Sequence, residues 1–162
     1  MNYSILDAHK YPVFACSLNL RAIDVLECEM SGFTSSHEAL AQGLRMSPYC
    51  KVGYNKTTDN IDFVFGVAEY PDEPHIGVPW LLATDKFKIT KSWLRHCRDV
   101  IFPKVNNRYP ILQNYCHKEN LATQRWLSWL GFSFYNVEGQ PYYLFTKLGG
   151  NAICVRPWQR SV

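Results

Sequence analysis

The chain has little of what would assign it quickly. No apolar run approaches the roughly 18 residues of a membrane-spanning helix, and no charged-then-apolar leader opens it. Its six cysteines, Cys16, Cys28, Cys50, Cys97, Cys116 and Cys154, include no Cys-x-x-Cys pair. The neighbours His96-Cys97 and Cys116-His117 send adjacent side chains in divergent directions, so no metal is expected and the thiols read as reduced, as in a cytoplasmic protein. Charge is scarce as well: a formal net charge of +3 is too small to mark a nucleic-acid binder without a clustered basic face. Rings are plentiful by contrast, at 15% of residues, which points to an ordered domain with an aromatic core or interface. The length fits one compact unit, expected over 1–148, with 149–162 as a C-terminal tail.

The most legible segment is Asn120-Leu-Ala-Thr-Gln-Arg-Trp-Leu-Ser-Trp-Leu-Gly131-Phe132. Asn120 can accept from the first free helical amides, and Gly131 can take the left-handed conformation that closes a helix. Before it, Tyr11–Cys16 reads as a short extended segment, followed by helical spacing of Leu20, Ile23, Leu26 and Met30. Ser35 or Ser36 can cap a second helix that ends near Ser47-Pro48. Tyr49–Tyr54 and Ile61–Tyr70 flank a polar turn and predict an antiparallel hairpin. Ile76–Thr84 is apolar enough for a central strand, with an interruption predicted at Pro79. From Thr90 an amphipathic helix runs to about Val105, with Lys91, Arg95 and Arg98 on its polar face. Ile111–Cys116, the Asn120 helix, and a hairpin of Gly131–Val137 with Tyr142–Leu148 complete the chain.

The predicted order is β-α-α-β-β-β-α-β-α-β-β, about seven strands with about four helices. The strand-helix-strand unit from Ile76 to Cys116 favours a parallel pair among antiparallel ones, hence a mixed sheet of α/β class.

With this order, and with Asn120 eleven residues before Gly131-Phe132, the chain resembles the GNAT superfamily of acyl-CoA N-acyltransferases. It also resembles a small acetyltransferase-like family of short-tailed lytic phages, the internal virion protein A family. That likeness rests on Pro79-Trp80-Leu81-Leu82 with Thr84-Asp85, on Asn114-Tyr115, and on Asn120 with Arg125-Trp126-Leu127 and Trp129-Leu130-Gly131-Phe132. It spans roughly residues 20–136.

The superfamily resemblance implies acetyl-CoA or CoA held where the strand ending near Thr84 splays from the strand ending near Cys116. Leu82, Ala83, Thr84, Lys86, Lys88, Thr90 and Asn120 would be the cofactor-binding residues, with the pyrophosphate at a helix start. The loop Ala83–Thr90 contains no glycine, where the superfamily has a Gly-rich turn, and Asp85 adds a charge of the wrong sign. Leu127 stands where the superfamily often carries a proton-donating Tyr, which moves that role to Tyr115 or water. Glu69 and His75 are candidate bases, while Asp85 suits a loop or helix cap. The phage resemblance implies a place in the host cell cytoplasm or the virion, with other virion or assembly proteins, or a host protein, as partners. Three readings stay open: a degenerate GNAT-like protein of virion morphogenesis, an active acetyl-CoA-dependent N-acetyltransferase, and a modulator of a host protein. Trp158, Arg156 and Arg160 of the tail motivate the last, together with the basic helix face.

Overall fold

A computed structural model describes residues 2–149. The tail positions Cys154, Arg156, Trp158 and Arg160 lie outside the described residues. The seven strands are β1 (Tyr3–Asp7), β2 (Tyr49–Asn55), β3 (Asn60–Glu69), β4 (Ile76–Ala83), β5 (Ile111–His117), β6 (Ser133–Asn136) and β7 (Tyr142–Leu148). They form one sheet in the order β1-β2-β3-β4-β5-β7-β6. Among the described residues only β4 and β5 pair in parallel, so the sheet is mixed, as expected.

The first strand corrects the sequence reading. Tyr11–Cys16 is not extended: Pro12–Cys16 forms a short helix, α1, with Pro12 at its first position. Proline suits that position because a helix start leaves its first amides unbonded. The missed strand β1 lies at the sheet edge, with Tyr3 opposite Asn55 and Asp7 opposite Lys51. Asp7 ends it by accepting from His9 N at 3.1 Å at the start of a 3₁₀ turn.

The remaining helices are α2 (Ala22–Met30), α3 (Ser36–Met46), α4 (Lys91–His96), α5 (Phe102–Arg108) and α6 (Leu121–Trp129). Between α4 and α5 the chain stays helical but widens into a π segment, Cys97–Ile101, in which Phe102 N reaches back to Cys97 O. Pro103 follows immediately and has no N–H to return to Asp99, so the ladder slips by one residue where that bond would be missing.

Helices cover both faces. On one, α4, α5 and α6 bury Trp93, Ile101, Phe102, Val105, Leu127 and Leu130 against Phe63, Phe65, Val67 and Leu112. On the other, α1 to α3 bury Ala15, Cys28, Ala39 and Leu40 against Cys50, Val52 and Val64. β3 is therefore apolar on both sides, which is why it reads as a nearly continuous hydrophobic run.

The interruption predicted at Pro79 exists on one edge only. Against β3 the register of β4 runs unshifted, with Val67 opposite Pro79. Against β5 the ladder stops after Ile76–Ile111 and Gly77–Leu112. Beyond Gly77 the two strands separate, and Asn114 Nδ2 bridges the gap to Pro79 O at 3.0 Å.

Candidate active site

The separation of β4 from β5 opens a cavity of about 560 Å³ that runs from α2 and α3, through the sheet, to α4 and α6. Trp80, Leu82, Asn114 and Tyr115 line it along the strands, Glu27, Cys28 and Gln42 on one face, Trp93, Cys97, Trp126 and Leu127 on the other. Trp80 is fixed by its Nε1 donating to Ser47 Oγ at 2.8 Å, and α3 lies so close that a Cβ at Gly43 would stand 2.7 Å from the indole.

The open ends of both strands are held by carboxylates of α2. Ala83 N, at the end of β4, donates to Asp24 Oδ2 at 2.7 Å, and Ala83 O accepts from Arg21 N at 2.9 Å. Arg21 also pairs with Asp24 in two hydrogen bonds of 3.0 and 2.6 Å. At the end of β5, His117 N donates to Glu27 Oε1 at 2.9 Å, and Asn120 Nδ2 adds a bond to the same oxygen at 3.1 Å. Burial pushes the carboxyls of Asp24 and Glu27 above their ordinary range, against the lowering effect of these donors. The thiol of Cys116 is pushed up to about 12, first by burial and then by the charge of Glu27.

Asn120 caps α6 as predicted, Oδ1 accepting from Thr123 N at 3.2 Å. Gly131 has a φ of 87°, and the bonds Gly131 N to Ser128 O and Phe132 N to Leu127 O close the helix in a Schellman motif. Lys147 Nζ donates to Leu130 O at 2.7 Å beside them.

Of the three candidate catalytic residues, the structure brings one to the cavity. Tyr115 lines it and is half exposed. Glu69 sits at the closed end of the β3–β4 pair, opposite Gly77, where it accepts from Arg108 Nε at 2.7 Å and from the Tyr109 hydroxyl. Tyr109 and Arg108 hold its carboxyl below the usual range, which makes it a poorer base. His75 is exposed in the loop before β4, its carbonyl accepting from Ile111 N at that same closed end.

The seven expected cofactor residues are also divided. Leu82 lines the cavity, Asn120 caps α6, and the amide of Ala83 is already taken. Thr84 N donates to Asp62 O, Lys86 and Lys88 are exposed, and Thr90 caps α4 by accepting from Trp93 N at 3.2 Å. Between them Phe87 is buried in the core, which pulls the loop down against the sheet. The basic face expected on α4 is exposed at Lys91, Arg95 and Arg98, but Arg98 pairs with Asp99 at 2.6 Å and stacks on Trp129.

The fold is shared with solved acetyltransferases. The ribosomal-protein-S5-alanine acetyltransferase of Vibrio fischeri superposes with a TM-score of 0.58 over 93% of this chain and 95% of that one, at 13% identity. A GNAT-family acetyltransferase of Bacillus anthracis gives 0.57 over 91% and 93%, at 9% identity.

The fold is GNAT.

An N-acetylglutamate synthase of Neisseria gonorrhoeae, solved with coenzyme A and N-acetyl-glutamate, shares the GNAT fold over 91% of this chain and 35% of its own, with a TM-score of 0.55 and 13% identity. No family model matches the sequence, and no curated protein matches it. At these identities the likeness is one of fold, and the chemistry of the site rests on its own residues.

Those residues suit an apolar arm between β4 and β5, but the two strand ends offer a CoA pyrophosphate no free amide. The strand-end amides of Ala83 and His117 are bound by Asp24 and Glu27, and the Glu27 carboxyl carries the sign of a phosphate when ionised, while Arg21 pairs with Asp24. Asp24 and Glu27 were missed in the sequence. Their signal was the register Leu20, Asp24, Glu27, Cys28, which sets two acids on the inward stripe of an amphipathic helix.

Proposed function

We propose that this protein is a GNAT-fold protein with a degenerate acyl-transfer site, serving virion morphogenesis in a phage-infected cell. The observation that carries the degenerate site is the closure of both splayed strand ends by the Asp24 and Glu27 carboxylates. The glycine-free loop and the burial of Leu127 in the core, at the position of the superfamily's usual acid, support the same reading. The phage role is supported by the sequence resemblance around Trp80, Asn114 and Trp126. It implies the host cytoplasm or the particle as location and other virion or assembly proteins as partners. Among the described residues no helix is long and apolar enough to cross a membrane.

Calorimetry with acetyl-CoA and with free CoA tests the site: no saturable heat is expected up to about 1 mM ligand, and tighter binding would overturn the degenerate reading. Mass spectrometry of purified particles and assembly intermediates tests the role, which fails if the chain is absent from both.

The second reading, an active N-acetyltransferase, is favoured by the placement of Glu27 and Tyr115 in one cavity. A carboxyl raised by burial is a stronger base once ionised, suited to taking a proton from an ammonium, and the tyrosine hydroxyl can return one. On this reading Glu27→Gln lowers turnover of an amine acceptor by about 100-fold or more. Turnover unchanged by that substitution would remove Glu27 from the role.

A further inference from the structure

Helices α1 to α3 cover only part of their side of the sheet. Their buried cluster takes Cys50 and Val52 from β2 and Val64 from β3, with Trp80 and Leu82 of β4 packed against it. Among the described residues it includes nothing of β5, β6 or β7. On that side Ile111, Gln113 and Tyr115 of β5 stand opposite Leu148, Thr146 and Leu144 of β7, and directly opposed residues share a face. Ser133 and Tyr135 of β6 extend the same face beyond Thr146 and Leu144. None of these side chains is buried, whereas Leu112, Cys116 and Phe145 on the other face are. None carries a charge either, and Tyr115, Tyr135 and Leu148 are exposed at 50%, 43% and 42%. An uncharged sheet face with open rings and aliphatic side chains is a surface that another segment covers.

The chain itself supplies a segment of the right length and chemistry. β7 ends at Leu148 on this face, and the Gly149 amide donates to Pro110 O, just before β5, at 2.8 Å. Gly149-Gly150-Asn151 is a turn sequence, so the chain can reverse directly after the strand. Residues 151–155 carry no charge, as the face carries none, and when extended they span roughly 17 Å, enough to run from Leu148 back to Leu144 along β7. Arg156 and Trp158 come next, level with Tyr115 and Tyr142, whose ring centroids lie 5.7 Å apart. Exposed tyrosine rings attract a guanidinium or an indole by cation–π and ring contacts. A second copy suits the face less well, because a stable dimer takes roughly 20–30 residues from each partner, more than this face presents.

We propose that residues 151–158 fold back in the same molecule across the uncovered face of β5, β7 and β6. Ile153 and Val155, which share a side of an extended segment, lie on Leu144 and Tyr135, and Arg156 and Trp158 reach Tyr115 and Tyr142. Tyr115 also lines the cavity between β4 and β5, so the segment crosses one mouth of that cavity and limits what enters it. The proposal does not depend on what the cavity holds.

The test is NMR on the intact chain, with an isotope-filtered experiment on mixed labelled and unlabelled protein to separate contacts within a molecule from contacts between molecules. Nuclear Overhauser contacts are expected from Ile153, Val155 and Trp158 to Tyr115, Tyr135, Tyr142 and Leu144, and they should be absent from the filtered spectrum. Tyr135→Asp puts a charge on the face and Ile153→Asp puts one on the segment. Each should abolish those contacts and speed amide exchange at residues 152–156 by about tenfold or more. Ile153→Asp leaves β1 to β7 untouched, so it decides even where Tyr135→Asp fails to fold. The absence of contacts in the wild type, or exchange unchanged in the folded variants, would overturn the docking. Contacts found only between molecules would assign the face to a second copy and overturn it as well.

Discussion

Glu27 and Glu69 carry the same side chain, and their surroundings push the two carboxyls in opposite directions. Tyr109 and Arg108 donate to Glu69 and hold it below the usual 4.5, while burial lifts Glu27 above it. A lowered carboxyl stabilises the fold above its unfolded value, and that contribution is lost as pH falls from about 4.5 through the folded one. Glu69→Gln is therefore expected to cost about 1–2 kcal/mol at neutral pH and to flatten the acid limb of stability. Urea melts at several pH values between about 3 and 7 read both. For Glu27 the sign reverses, because the folded state holds its proton more tightly, so its contribution declines as pH rises from 4.5 through the raised value. Glu27→Gln keeps an acceptor oxygen for His117 N and Asn120 Nδ2 and removes the poorly solvated charge. It should be neutral or stabilising by up to ~1 kcal/mol at pH 7, and a loss of ~2 kcal/mol would show that the charge itself is needed. None of this was legible in the sequence, where Glu69 and His75 lie close to β4 in number. The topology sets them at the end of β4 where the strands still pair.

At the scale of elements, α6 shows how far local rules reach. Its Asn start and Gly stop were both readable because each acts within a few residues, and Gly131→Ala should cost roughly 1 kcal/mol through the left-handed backbone it would strain. Asn120 adds a long-range term that a local rule cannot see. Asp is as good a cap as Asn in an isolated helix, so Asn120→Asp should be harmless if capping were the whole role. Here Nδ2 donates to Glu27, and a carboxylate in its place would face another across that contact. We expect Asn120→Asp to lose about 2 kcal/mol at pH 7, with the loss shrinking in acid as Glu27 takes up its proton. A pH-independent effect in urea melts would return Asn120 to a cap alone. The misread elements have the opposite cause. Val13 and Phe14 favour strands, but Pro12 opens a helix and β1 is a short edge strand whose five residues are all half-buried, so alternation gave no signal. The seven strands expected match the seven observed because one missed strand offset one misassigned segment.

For the whole molecule, element order was enough to predict a mixed sheet of α/β class, since a strand-helix-strand unit among antiparallel neighbours calls for a parallel pair. The splay itself was implied by the superfamily resemblance, between the strands ending near Thr84 and Cys116, and Pro79 marked an interruption in the first of them. What closes it was not legible: Glu27 lies 90 residues from the amide it accepts from, and Asp24 lies 59 from its own. Those two contacts turn the question of CoA binding into one of charge. If the carboxylates exclude phosphates from the mouth, removing the charge while keeping the hydrogen bonds should admit them. The variant Asp24→Asn with Glu27→Gln retains an acceptor oxygen at both strand ends, although the new side-chain amide must hold Arg21 without an ion pair. Its fold should be checked first by urea melting. We expect the folded double variant to bind CoA at least about tenfold more tightly than the wild type, with a gain that shrinks as salt is raised. Unchanged binding would place the barrier in the loop instead, where Phe87 pulls the backbone into the core and no glycine lets it rise toward a phosphate.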